Sequence, residues 1–106
     1  MKLWIDDVRP APEGYVWCKS VEEAKWRIES AEDVCTIFPL VNEKPPIELI
    51  DIDHDAGEFG PPDYIKVLDW LEETGRNYPI RIHSMNPVGR ENMRAIIQRN
   101  GWTEVI

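Results

Sequence analysis

Apolar and polar positions along this chain fall into short β-branched runs that alternate with stretches of helical spacing. Residues 2–5 form an apolar run that stops abruptly at Asp6-Asp7, the profile of a buried strand. Residues 15–18, Tyr-Val-Trp-Cys, are dense in strand formers and predict a second strand beside the first. Ser20-Val21-Glu22-Glu23 has the form of a capping box, in which hydroxyl and carboxylate serve each other's backbone donors. The helix it opens is expected to reach about Ala31, with Val21, Ala24 and Ile28 on one face.

The pattern weakens between residues 32 and 46. Residues 34–41 fit either an edge strand interrupted by Pro39 or a packed surface loop. Residues 47–52 are again apolar and β-branched, and the run ends in Asp53-His54-Asp55. A Gly- and Pro-rich loop follows over 57–62. Asp63 is placed to cap a helix whose inner face is Ile65, Leu68 and Leu71, flanked by Tyr64 and Val67, with Gly75 as its stop. Residues 80–82 predict another strand, ending at His83-Ser84. Asn86 and Pro87 suit the N-cap and first position of a last helix, with Met93, Ile96 and Ile97 inward and Asn100-Gly101 as its end. Residues 102–106 suggest a final edge strand. Strands alternating with amphipathic helices predict an α/β fold, a three-layer, mostly parallel sheet with helices on both faces.

Bulk properties narrow the picture. A chain of 106 residues, 42% hydrophobic, suits one domain over 1–106 with a real core. A net charge of −8 argues against a long duplex nucleic acid or an anionic membrane as partner. The opening lacks the apolar core of a signal peptide and no run is long enough to span a bilayer, so a cytoplasmic location is expected. Cys18 and Cys35 lack metal-ligand spacing and read as buried thiols.

The chemistry gathers at three predicted strand ends. Open parallel sheets place ligand sites at the carboxyl ends of their strands, which here carry Asp6-Asp7, Asp53-His54-Asp55 and His83-Ser84. Carboxylates crowded into one crevice either stay partly protonated or share a cation. All-oxygen donors of this kind suit Mg²⁺ or Mn²⁺, with Asp6, Asp7 and Asp53 as candidate ligands. Asp7 and Asp55 have the alternative of capping turns. His54 and His83 are the candidate acid–base groups, since imidazole titrates near neutrality, and Asp55 is placed to orient one of them. Arg9 in its proline-stiffened loop is suited either to forking phosphate oxygens or to a surface ion pair. Ser84, Asn86 and Arg90 lie around the N-terminus of the last helix, where anions are favoured; for Asn86 an N-cap role is the alternative, and for Arg90 simple solvation.

These residues resemble a receiver domain of two-component signalling, with an acidic pair after the first strand, Asp53 at the phospho-acceptor position and Ser84 after the fourth strand. Receivers use a lysine after a fifth strand, whereas no lysine follows Lys66 here. The closer resemblance is to the cyclic-phosphate processing receiver-like domains, through Leu3-Trp4-Ile5-Asp6-Asp7-Val8-Arg9-Pro10, Ile52-Asp53-His54-Asp55 and His83-Ser84-Met85-Asn86-Pro87-Val88-Gly89-Arg90-Glu91-Asn92-Met93. Two positions depart from that pattern: Ala56 replaces a larger apolar residue, and Asp51 adds an acid. The resemblance implies a receiver/flavodoxin-like fold truncated at its C-terminal βα unit. It also implies a metal-dependent phosphoesterase for a cyclic phosphate, on a small nucleotide or an RNA 2′,3′-cyclic end. The alternative is a non-hydrolytic module that binds metal or a phosphorylated ligand, or signals. In the first case His54, His83 and Asp55 are catalytic, Arg9, Ser84, Asn86 and Arg90 bind substrate, and Asp6, Asp7 and Asp53 hold the metal.

Overall fold

The computed structural model describes residues 1–37, 46–54 and 63–106. They form strands β1 (Lys2–Ile5), β2 (Tyr15–Cys18), β3 (Leu49–Ile52) and β4 (Ile80–Ile82), with helices α1 (Val21–Ile37), α2 (Ile65–Glu73) and α3 (Pro87–Asn100). The sheet runs in the order β2-β1-β3-β4 and every pairing is parallel. The order reverses between β1 and β3, which puts the switch point where Asp6 and Asp53 emerge.

Strand register explains the core. Leu3 and Ile5 of β1 align with Ile50 and Ile52 of β3, with Ile80 and Ile82 of β4 beyond them, and Cys18 aligns with Ile5 on the other side. Side chains alternate across a strand, so these share one face. All are buried, in one cluster with Val21, Ala24 and Ile28 of α1, Val67, Leu68 and Leu71 of α2, and Met93, Ile96 and Ile97 of α3. The inner faces expected for α1 and α3 are therefore those observed. On α2 the face is Tyr64, Val67, Leu68 and Leu71, with Ile65 only partly buried.

The expected α/β parallel, receiver-like architecture is what the chain adopts, but the second helical layer is not found among the described residues. Crossovers between parallel strands are right-handed. Both β2-to-β3 and β3-to-β4 advance in the same direction across the sheet, so α1 and α2 fall on the same face. The link from β1 to β2, residues 6–14, contains no helix that would cover the opposite face. That face carries Lys2, Trp4, Tyr15, Trp17, Leu49, Asp51 and Arg81, none of which joins the core cluster.

Local differences have local causes. Helix α1 continues through Ile37, so residues 34–37 are helical rather than an edge strand, and residues 38–41 lie outside the described ones. Val34 is half exposed there, so this segment is helical without burial of that strand-forming side chain. Asp63 does not cap α2: the N-cap position is Tyr64, without a side-chain cap bond, because Tyr64 is buried and its hydroxyl donates to the Lys19 carbonyl at 2.9 Å. The capping box of α1 forms in altered shape, Ser20 Oγ accepting from the Glu23 amide at 3.1 Å while the Glu23 carboxylate reaches the Lys19 amide at 3.5 Å. The expected last strand over 102–106 is reduced to a single parallel bridge between Ile80 and Glu104. Gly75 and Gly101 adopt positive φ after α2 and α3, as helix stops do.

Candidate functional site

Each strand on the switch side delivers one donor. β1 ends at Ile5, and Asp6 follows with its side chain fully buried. Its Oδ1 accepts the amides of Val8 and Arg9 at 2.9 and 3.0 Å, which closes the loop tightly after the strand. Its Oδ2 lies 3.0 Å from His83 Nε2, just beyond β4. Asp53, just beyond β3, accepts the His54 amide on Oδ1 at 2.8 Å. One ligand atom each from Asp6, Asp53 and His83 lies within 4.8 Å of the others, so this trio could hold a metal ion.

Asp7 stands outside that trio, yet both its carboxylate oxygens are buried with no hydrogen-bond partner among the described residues. A buried carboxylate without donors is costly. The nearby Tyr64 phenol has its pKa pushed up by burial, by the negative charges of Asp7 and Asp6, by the closeness of its hydroxyl to the Asp7 carboxylate, and by the charge of Asp53. Orphaned oxygens beside two further carboxylates and an imidazole nitrogen are a donor set that fits a divalent cation.

His83 bridges two carboxylates of the site. Its ring stacks on Trp4, with centroids 3.9 Å apart and planes 4° apart. Nδ1 lies 2.6 Å from Asp51 Oδ1, opposite the Nε2 contact with Asp6. Burial disfavours the imidazolium, but hydrogen bonds and charges from Asp51 and Asp6 outweigh it and raise the pKa above its ordinary value. Sequence reasoning placed His83 among acid–base groups; the geometry groups it with two candidate metal ligands.

The remaining expected residues surround this centre unevenly. Arg9 is exposed and its Nη1 donates to the His83 carbonyl at 3.4 Å, beside the trio. Ser84 is buried and its Oγ accepts the Asn86 amide at 3.1 Å. Asn86 is the N-cap of α3, accepting the Gly89 amide at 3.0 Å, with Pro87 in the first turn. Arg90 is exposed on the first turn of α3. The His54 ring packs against Gly89, where an added Cβ would stand 2.3 Å from Cγ. Asp55 lies outside the described residues, as do Ala56 and the 57–62 loop. Cys18 is a buried thiol whose pKa is pushed up to about 12 by burial and by Glu23, so it is no nucleophile here; the Cys35 side chain lies outside the described ones.

The family model for the cyclic-phosphate processing receiver domain matches residues 1–99. The chain belongs to this family. No curated protein and no solved structure matches it. As a cyclic-phosphate processing receiver domain, it presents its acidic crevice at the switch point between β1 and β3. No helix among its described residues is long and apolar enough to cross a membrane.

Sequence reasoning missed the roles of Trp4, Tyr64 and Gly89. The floor under His83 is set by Trp4, whose Nε1 donates to the Arg9 carbonyl at 2.9 Å. The signal was present for Trp4, a bulky polar-edged ring one residue from the acidic tip and on the opposite strand face from Leu3 and Ile5. Tyr64 and Gly89 had no comparable signal, because only packing brings them to the crevice.

Proposed function

We propose that the protein is a metal-dependent phosphoesterase that opens a cyclic phosphate on a small nucleotide or at an RNA end. The observation that carries this is the convergence of Asp6, Asp53 and His83 beside the orphaned Asp7 carboxylate. Asp6, Asp53 and His83 Nε2 would hold Mg²⁺ or Mn²⁺, with Asp7 as the neighbouring acid. A bound divalent ion supplies positive charge to phosphate oxygens and makes water more acidic.

The chain's own groups carry the other duties. The Arg9 guanidinium beside the His83 carbonyl grips non-bridging oxygens in a charge-assisted fork. The N-terminus of α3, set by the Asn86 cap, offers backbone N–H groups to the same anion, with Arg90 on its first turn. His54, next to Asp53, takes the proton of the attacking water and returns it to the leaving ester oxygen. One P–O bond forms, one ester P–O bond breaks, and the product is a phosphomonoester. The net charge of −8 favours a small or single-ended substrate over a long duplex.

One observation favours the second reading, a non-hydrolytic module that binds a metal or phosphorylated ligand. His83 bridges Asp51 and Asp6, so its Nε2 already has a partner in Asp6 Oδ2 at 3.0 Å. The discriminating experiment measures phosphomonoester release from 2′,3′- and 3′,5′-cyclic nucleotides with Mg²⁺ or Mn²⁺ and with EDTA. Metal-dependent turnover that falls at least about a hundredfold in Asp53→Asn is expected. No turnover on any substrate, with Mn²⁺ binding still seen by calorimetry, would favour the binding module.

A further inference from the structure

The face of the sheet that no helix covers among the described residues carries one feature that the proposed reaction does not by itself require. Trp4, Asp51 and Arg81 lie side by side in register across β1, β3 and β4. An aspartate in the middle of an apolar strand is unexpected, and Asp51 is only 1% exposed. Buried carboxylates persist where they are paired. Both oxygens of Asp51 are engaged: Oδ1 lies 2.6 Å from His83 Nδ1, and Oδ2 lies 3.9 Å from Arg81 Nη1. The His83 ring lies flat on Trp4 and aims its other nitrogen at Asp6 Oδ2.

We infer that Asp51 is a positioning residue, which fixes the His83 ring on the Trp4 platform so that Nε2 is the nitrogen presented to Asp6 and Asp53. A histidine just past a strand end is otherwise free to rotate about two side-chain bonds and to offer either nitrogen. A carboxylate on Nδ1 keeps the proton there and leaves Nε2 as the donor atom, an arrangement that in metal sites sets both ring orientation and ligand strength. The outer face of the sheet thus serves as a support for the site. What Nε2 then meets rests on the metal-dependent reading above; the ring placement does not.

The test combines two measurements at one fixed pH. Long-range nitrogen–proton NMR of the imidazole is recorded without metal on a His54→Gln background, which leaves His83 as the single histidine, since the chain has 2. Mn²⁺ affinity is measured by calorimetry on otherwise native chains. The parent is expected to show a hydrogen-bonded Nδ1–H and ring protons shifted upfield by Trp4. Asp51→Ala should lose both signatures and weaken Mn²⁺ roughly 10–100-fold. Asp51→Asn, which keeps an acceptor oxygen, should retain most of both. Asp51→Leu, similar in size and apolar, repeats the loss without leaving a cavity and stands in if the alanine variant does not fold. His83→Ala should weaken Mn²⁺ as much as Asp51→Ala, and the double variant no further. Unchanged ring signals in Asp51→Ala and Asp51→Leu would overturn the inference. So would an equal further loss of Mn²⁺ on the His83→Ala background, since Asp51 would then act through its own charge. If no protein in the series binds Mn²⁺, the metal reading falls while the ring spectra still decide whether Asp51 positions His83.

Discussion

His83 links the site to the stability of the fold. Burial opposes its charge, but Asp51 and Asp6 hold its folded pKa above the ordinary 6.5. A raised folded pKa means the folded state binds this proton more tightly than the unfolded chain does. The stabilisation is therefore complete below 6.5 and is lost as pH rises through the folded value. Urea midpoints measured without metal should fall over that upper window in the native protein. His83→Gln should lack this component, and an identical slope in both proteins would contradict the bridged geometry. Residue identity alone showed that Asp6, Asp53 and His83 were chemical candidates. That one imidazole spans two carboxylates depends on how β3 spaces Asp51 from the tips of β1 and β4, which no local pattern records.

Between elements, close approach and clipping decide what sequence periodicity leaves open. Gly89 in the first turn of α3 leaves room for the His54 ring, which an added Cβ would meet at 2.3 Å. Gly89→Ala is expected to push the ring away from the helix and cost about 1–3 kcal/mol, the usual range for overpacking. Thermal unfolding together with the His54 ring shifts would check this, and a neutral substitution with unmoved shifts would remove the packing argument. Glu32 on α1 accepts from Arg76 Nη2 at 2.8 Å and also from the Tyr78 hydroxyl, clipping the long helix to the segment after α2. Burial alone would raise the Glu32 pKa, but these donors and the Arg76 charge lower it. Its stabilisation is present above the ordinary 4.5 and fades as pH falls through the folded value. Arg76→Ala should cost about 1 kcal/mol near neutrality, a modest figure because both partners are about a quarter exposed. The gap between the two proteins should narrow in acid denaturation below pH 4.5, leaving only what the contact of Arg76 with the Trp70 ring contributes. The helical state of 32–37 was hidden in sequence, because Val34, Thr36 and Ile37 favour strand by propensity while α1 runs through them.

The molecule as a whole is a two-layer arrangement among its described residues, with one apolar face of the sheet under three helices and one face without them. All the hydrophobic stabilisation gathered by the core cluster then lies on one side. Leu68→Ala, from a fully buried position, should cost about 2–5 kcal/mol in chemical denaturation. The acidic balance of −8 adds repulsion at the crevice that a bound cation would relieve. At Mn²⁺ a hundredfold above its dissociation constant, unfolding should become about 2.7 kcal/mol harder. The shift should be absent in Asp53→Asn, and an equal shift in that variant would place the ion elsewhere.

The sequence by itself determined the four strands, the three amphipathic helices, the parallel α/β class and the acidic and histidine-bearing strand ends, because these rest on local alternation, caps and short motifs. Only the tertiary structure decided which face carries the helices, since that follows from strand order and the handedness of crossovers. It also decided that Asp63 yields its capping position to a buried Tyr64, and that residues 102–106 make one bridge instead of a strand. At the site, it made Asp51 and Trp4 the support of His83, because the three come from different strands and meet only when the sheet is in register.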